Sequence, residues 1–335
     1  MSSIRIQSVS LAALPNKEAN LEAFCKYIDK AAEENVDLLV FPELSLSGIH
    51  SDSSMFGYCP EAIRYVKDVA EYVPEGESVQ KIISLAKKHH MHICWTMSEK
   101  DKHEKGRYYN TNVLVGPEGF IGSYRKTHPA GTEAFEITPG NCVSEVFDTE
   151  LGKIGLAICF DKVFPSTIRP LKLKGAEIVI APTAWPGIHR SLGEKDPLMQ
   201  FHRYCAPARA AETGMVLIDT NLTSPKGNGL FAEGGHSSIV TPLGERVAES
   251  GWYEETITAD IDPQAEIEKY YNVTGLTKEK HKKLLELDQK IYEKFYHSYE
   301  TALTVLAFGG RALGVTLLDS GRSIFYKYKT KKNKK

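Results

Sequence analysis

Cys159 stands where an apolar run stops. The stretch from Lys153 to Trp185 reads as strand, helix, strand. Ile154 to Ile158 is short and apolar enough for a buried strand. A helical segment opens at Phe164-Pro165, with proline suited to a first turn, and Gly175 stops it before a second apolar run, Glu177 to Ala181. Ligands of open α/β sheets gather at the carboxyl ends of strands, so a thiol held there is a candidate nucleophile. The plainer fate of a lone cysteine is a small buried hydrophobe. Glu43 has a comparable place. It follows Leu38 to Phe41, whose ladder Pro42 ends because it has no N–H to donate. Turned inward, that carboxylate is a competent general base; turned outward, it is a solvated loop residue. Lys126 directly follows a hairpin, and His128 lies beside Pro129. Taken alone, they read as a solvated cation and as a packing or hydrogen-bonding histidine.

The elements that must position these groups follow from periodicity. Ile4 to Val9 alternates as a strand does. Leu21, Phe24, Ile28 and Ala31 recur at helical spacing, which predicts an amphipathic helix over Glu18 to Glu34. Residues 49–76 read as a loop with local helix, in which Tyr58 and Cys59 could line a pocket. Val79, Ile82, Ile83 and Ala86 mark a second helix; Lys87-Lys88-His89-His90 is its solvated end, where cations suit the helix dipole. His92 to Met97 is the next strand. Two hairpins of similar pattern follow, one around Gly116-Pro117-Glu118-Gly119 and one around Thr241-Pro242-Leu243-Gly244. Between them, Leu198 to Glu212 reads as a helix interrupted around Pro207, and Met215 to Thr220 as a strand. A further strand ends at Ala259 to Asp262.

After about Tyr270 the texture changes. Leu284, Leu287, Ile291, Phe295 and Tyr299 trace one face of a long helix, and Gly314 to Leu318 with Ser323 to Tyr328 suggest a hairpin. The Lys-rich tail from Lys327 to Lys335 reads as frayed and solvated.

Bulk properties narrow the class. With 42% hydrophobic and 25% charged residues, a chain of 335 residues is a globular protein with a large core. A formal net charge of −2 gives no reason to expect nucleic acid or an anionic membrane as partner. The six cysteines are scattered with no C-x-x-C pair, which argues against a structural zinc site. No signal peptide and no run long enough to span a bilayer is visible, so a reducing cytoplasm is the default expectation.

Three separated signatures then occur in order. They are Phe-Pro-Glu-Leu-Ser-Leu-Ser-Gly at 41–48, Tyr-Arg-Lys-Thr-His at 124–128, and Ile-Cys-Phe-Asp at 158–161 with Lys-Gly-Ala-Glu-Ile after it. Together they resemble the nitrilase superfamily of carbon–nitrogen hydrolases, over roughly residues 3–265. The likeness includes Tyr109-Asn110-Thr111 and both Pro-x-Gly hairpins. The resemblance implies an α/β fold, a four-layer α-β-β-α sandwich, in which Glu43, Lys126 and Cys159 converge. It implies a supporting glutamate six residues before a Pro-Gly, which Glu133 fits and Glu136 fits less well. Residues 270–335 would then be a C-terminal helix-plus-hairpin extension. The resemblance implies at least a homodimer, with that extension an oligomer arm; packing on its own subunit is the competing reading.

The implied chemistry suits those residue types. A thiolate splits amide hydrolysis into acylation and deacylation. Glu43 would move the protons. Lys126, with the backbone N–H of Phe160, would face the oxyanion and lower the thiol pKa. Glu133 would hold Lys126. No metal or organic cofactor is needed. Tyr58 and Trp185 could supply an aromatic wall, and His189 or Arg190 a polar contact.

Two departures from the pattern Cys-Tyr-Asp-x-Arg-Phe-Pro-Glu bear on substrate. Val163 replaces the arginine and Ser166 the glutamate, which removes a group able to grip a substrate carboxylate. Cys159-Phe160-Asp161 also differs from the Cys-Trp-Glu of true nitrilases. The expectation is a cysteine amidohydrolase acting on a small linear amide or N-carbamoyl compound. Nitrile hydrolysis and a catalytically silent binding protein are the alternatives.

Overall fold

The computed structural model describes residues 3–49, 60–141, 145–224 and 234–307, with side chains to residue 292. Within them the chain builds much the same sheet twice. The first sheet takes β1 (Ile4–Ser10), β2 (Leu38–Val40), β3 (His92–Lys100), β4 (Tyr108–Gly116), β5 (Gly119–Arg125) and β12 (Glu255–Ile261). Its order is β12-β1-β2-β3-β4-β5, with β1, β2 and β3 parallel and the rest antiparallel. The second takes β6 (Val146–Thr149), β7 (Gly152–Leu156), β8 (Ile178–Thr183), β9 (Val216–Asn221), β10 (Ser238–Val240) and β11 (Arg246–Glu249). Its order is β11-β10-β9-β8-β7-β6, again with a parallel centre, β7, β8 and β9. The two sequence-predicted hairpins therefore occupy equivalent places, and β12 flanks β1 as β6 flanks β7. Strand β6, too short and polar to stand out in the sequence, is held by β7 through pairs such as Phe147 with Ile154.

Helices cover the outer faces. Helices α1 (Lys17–Glu33), α2 (Pro60–Val69) and α3 (Glu77–His89) belong to the first half; α4 (Pro165–Leu173) and α5 (Pro197–Thr213) belong to the second. The layering follows from strand alternation. Leu38 and Val40 face Ile154, Leu156, Ile178 and Ile180 in the core between the sheets. Leu39 and Phe41 face outward into a cluster with Phe24, Ile28, Val79 and Ile82 of α1 and α3. In the second sheet, Val179 and Ala181 meet Ile168, Leu171, Ala206 and Ala210 of α4 and α5. Fully burying such a side chain contributes about 1.5–3 kcal/mol. The result is an α-β-β-α sandwich.

Local signals explain most boundaries. Asn16 caps α1 by accepting the Ala19 N–H at 3.0 Å. Asp196 caps α5 by accepting the N–H groups of Leu198 and Met199, with Pro197 in the first turn. Gly214 ends α5 at φ +62°, where the Tyr270 ring leaves no room for a Cβ. One expectation is corrected: α5 is not interrupted at Pro207 but runs through it. Proline cannot supply the N–H that would bond the carbonyl four residues earlier, that of Arg203. The Arg246 guanidinium donates to that carbonyl instead.

Residues Met1–Lys278 form one compact unit, which includes α6 (Pro263–Thr274). Glu279–Lys335 form a second, whose described part is the helix α7 (Lys278–Ala307). The hairpin expected over 314–328 lies outside the described residues.

Candidate active site

Glu43 is turned inward by its surroundings. Phe41 N–H still bonds Cys94 O at 2.8 Å, Pro42 breaks the ladder, and Glu43 N–H then reaches across to Thr183 O of the second sheet at 3.2 Å. Leu44 follows with a left-handed φ of +51°. The Glu43 carboxylate is thereby buried, 3% exposed, between the strand ends of both sheets. Its Oε2 accepts the Ala184 N–H at 2.8 Å. Its Oε1 accepts Lys126 Nζ at 2.6 Å and Asn110 Nδ2 at 2.8 Å.

Lys126 continues the β4–β5 ladder, its N–H bonding Asn110 O at 2.9 Å. Its side chain, 2% exposed, lies between two carboxylates, Glu43 Oε1 and Glu133 Oε2, each at 2.6 Å from Nζ. Glu133 comes from a short 3-10 helix, Gly131–Phe135. It also accepts the Ala130 N–H at 2.9 Å and Asn110 Nδ2 at 2.8 Å. Of the two glutamates weighed from sequence, Glu133 is the one whose carboxylate meets Lys126.

Cys159 opens a 3-10 turn, Cys159–Val163, just past β7, with φ +47°. A non-glycine residue there stores about 1–3 kcal/mol of strain, which the surroundings must hold. Asp161, fully buried, does the holding: it accepts the Ile158 N–H at 3.0 Å, Tyr124 Oη at 2.9 Å, and both the His128 N–H and Nδ1, at 3.0 and 2.8 Å. The His128 ring stacks on Phe164 with centroids 4.3 Å apart. The Cys159 turn is thus tied directly to the segment that follows Lys126.

Charge in this site is finely opposed. Burial pushes the Cys159 thiol well above its ordinary pKa and the Glu43 carboxylate pushes the same way; Lys126, Lys162 and the Ala184 N–H pull it down without prevailing. Lys126 lowers the thiol pKa only against the larger opposing pushes of burial and Glu43. Burial disfavours the Lys126 ammonium, yet Glu133 and Glu43 hold it charged, well above the usual lysine value.

Phe160 and Trp185 lie side by side, ring centroids 6.0 Å apart, next to this group. Tyr58 lies outside the described residues. His189 caps a short 3-10 helix, accepting the Ser191 N–H at 3.1 Å, so its ring is engaged locally. Arg190 donates to Ser224 O at 2.6 Å. The sequence reading missed Asn110, whose amide bridges the two carboxylates, and the Ala184 N–H. Only the Tyr109-Asn110-Thr111 segment carried a signal for the first, and a backbone donor carries none. Among the described residues, no cluster of His, Cys, Asp and Glu is arranged to hold a metal ion.

Comparison with known proteins bears on the family. A family model described as carbon-nitrogen hydrolase matches residues 5–270. A nitrilase of Pyrococcus abyssi is 31% identical over 71% of this chain and 81% of its own length. The omega-amidase NIT3 of Saccharomyces cerevisiae is 30% identical over 83% of this chain and 93% of its own. Among solved structures, Saccharomyces cerevisiae Nit3, a member of branch 10 of the nitrilase superfamily, superposes with a TM-score of 0.69 at 29% identity, covering 82% of this chain and 96% of that one.

Proposed function

Because the chain belongs to the carbon–nitrogen hydrolase family and is an amidohydrolase acting on non-peptide C–N bonds, we propose that its substrate is a small linear amide or N-carbamoyl compound and that Cys159 carries the acyl group. The observation that supports this most is the buried Lys126 ammonium, shared at 2.6 Å by Glu43 and Glu133 in the electrostatic field of the Cys159 thiol. Glu43 takes the thiol proton as sulfur attacks the carbonyl carbon, and passes it to the departing nitrogen as the C–N bond breaks. It then takes a proton from the water that attacks the thioester and returns it to sulfur as the C–S bond breaks, which releases the acid and restores the thiol. Two of the three Lys126 N–H donors are used by carboxylates, which leaves the third for the tetrahedral oxyanion, with the Phe160 N–H beside it. Glu133 and Asn110 keep that ammonium in place.

The substrate class rests on charge. Val163 stands where an arginine would offer a carboxylate clamp, and it packs partly buried against the core. The cation one position earlier, Lys162, is held by Asp219 at 2.7 Å. An uncharged acyl chain fits this better than an acidic one. Nitriles are the second reading, favoured by the Pyrococcus abyssi relative being a nitrilase. Matched amide, N-carbamoyl and nitrile series, scored by ammonia release, decide between them. Higher kcat/KM for the amide or carbamoyl member supports the proposal, and higher kcat/KM for the nitrile overturns it. No helix among the described residues is long and apolar enough to cross a membrane. We propose a cytoplasmic homo-oligomer, with residues 270–335 as its arm.

A further inference from the structure

Three residues after Cys159, the same 3-10 turn buries a second lysine completely. Lys162 and Asp219 of β9 are 0% and 1% exposed. The Lys162 ammonium donates to both Asp219 oxygens at 2.7 Å, to Thr183 Oγ1 at 2.9 Å and to His202 Nδ1 of α5 at 3.2 Å. Thr183 Oγ1 in turn donates to Asp219 Oδ1 at 2.7 Å. Burial and the neighbouring Lys162 push His202 down to about 3, so it is neutral; Nε2–H donates to His236 O at 3.3 Å, which leaves Nδ1 to accept from Lys162. Every donor of the ammonium has an acceptor, and the three acceptor residues lie on three different elements.

Stability does not account for such a pair. Replacing a buried ion pair with apolar residues of similar volume is often neutral or stabilising. What these residues hold is more specific. Thr183 is the last residue of β8, and the next residue, Ala184, gives its N–H to Glu43 Oε2 at 2.8 Å and also faces the Cys159 thiol. Trp185 follows, with Lys162 Nζ 5.7 Å from its ring centroid and the His202 ring stacked on it at 6.0 Å. Asp219 lies two residues before Asn221, whose Oδ1 accepts the Trp185 N–H at 2.6 Å. The pair therefore ties the nucleophile's turn to two strand ends at the site.

We propose that Lys162, with Asp219 and Thr183, is a positioning residue for acyl transfer: it fixes the end of β8 so that the Ala184 N–H is delivered to Glu43 and Cys159. This rests on the assignment of Cys159 as nucleophile. With the link cut, Ala184 and Trp185 are free to shift, and a displacement of about 1 Å at a reacting group lowers turnover by as much as 10².

The test uses two variants of the full chain. Lys162→Met combined with Asp219→Leu removes both charges together, since Lys162→Met alone would strand a buried carboxylate. Thr183→Val keeps the ion pair and removes only the hydroxyl that joins it to β8. The readouts are kcat and KM for butyramide, normalised to folded protein by circular dichroism, and the rate at pH 8 at which iodoacetamide alkylates Cys159, read by peptide mass. The charged and titratable groups facing Lys162 are Asp219, His202, Cys159 and Cys205. The double variant also removes the pull of Lys162 on the thiol, so slower alkylation reports the lost Ala184 N–H where Thr183→Val, which keeps both charges, shows it too. Expected are a fall of about tenfold or more in kcat and in alkylation rate, with KM within about threefold. Both rates within twofold of wild type in either folded variant overturn the proposal. Cys159→Ala runs alongside: full turnover in that variant sinks the nucleophile assignment and this proposal together, whereas an inactive Cys159→Ala beside an unimpaired pair variant sinks this proposal alone.

Discussion

Replacing Lys126 by methionine should damage both turnover and stability, and for one reason. The side chain is 2% exposed and its ammonium meets two carboxylates at 2.6 Å each. At an effective dielectric of about 20, one such contact is worth roughly 6 kcal/mol of Coulomb energy. Desolvation offsets several kcal/mol for each buried ion. The substitution removes both contacts and leaves Glu43 and Glu133 facing one another without a cation. Breaking a buried pair from one side typically costs about 3–5 kcal/mol. Loss of one oxyanion donor costs about 10²–10³ in kcat. Urea unfolding at pH 7.5 reads the first and ammonia release per folded site reads the second. The pH dependence has a definite sign. The folded-state pKa of Lys126 is raised, so its contribution is fully present below the unfolded value of about 10.4 and is lost only as pH rises through the higher folded value. The stability gap between wild type and Lys126→Met should therefore persist to about pH 10. A variant within threefold in kcat and equally stable at pH 7.5 would mean that the lysine faces water, and the roles given to Glu133 and Asn110 would go with it.

Lys172 of α4 titrates in the opposite sense. Burial lowers its ammonium to about 8, with Glu177 opposing and Lys278 assisting. The unfolded chain then binds more protons between about pH 8 and pH 10.4, so stability rises with pH in that window. Lys172→Met should gain in Tm relative to wild type at pH 7 and lose that advantage by about pH 10.5; a Tm difference constant over this range would refute it. Truncation after Lys278, the end of the first compact unit, should leave a folded protein by circular dichroism. Light scattering should show a smaller assembly with lost turnover. An unchanged oligomeric mass and full turnover would show that the extension is dispensable for both.

The strands were legible as apolar runs, but the four layers were implied only by the family resemblance. Leu38 to Phe41 is apolar on both faces, so its sequence does not show that Leu38 and Val40 meet one layer and Leu39 and Phe41 the other. Cys159 and Glu43 could be singled out because each ends an apolar run. The partners of Lys126 were harder to read, and the reason is register. A hairpin closed at Gly116 and Gly119 and continued without irregularity would set Lys126 opposite Tyr109. A bulge between Leu114 and Val115 shifts the pairing by one residue and puts Asn110 opposite Lys126 instead. A one-residue slip moves a side chain to the other face of the sheet, so no periodicity argument could have placed Asn110 beside the carboxylates. Lys162 and Asp219 were invisible for a different reason. They lie 57 positions apart and meet only because β8 and β9 pair in parallel beside the Cys159 turn. Pro207 misled because its effect depends on a distant arginine that replaces the missing donor.

The central claim is that Cys159 forms a thioester while Glu43 moves the protons. Acid-quenched mass spectrometry during turnover of the best amide in the panel tests it most directly. The account predicts an adduct with the mass of the amide less ammonia on the peptide containing Cys159, formed at a rate no slower than kcat and absent in Cys159→Ala. An adduct on another residue, or turnover retained by Cys159→Ala with no adduct at all, would contradict it.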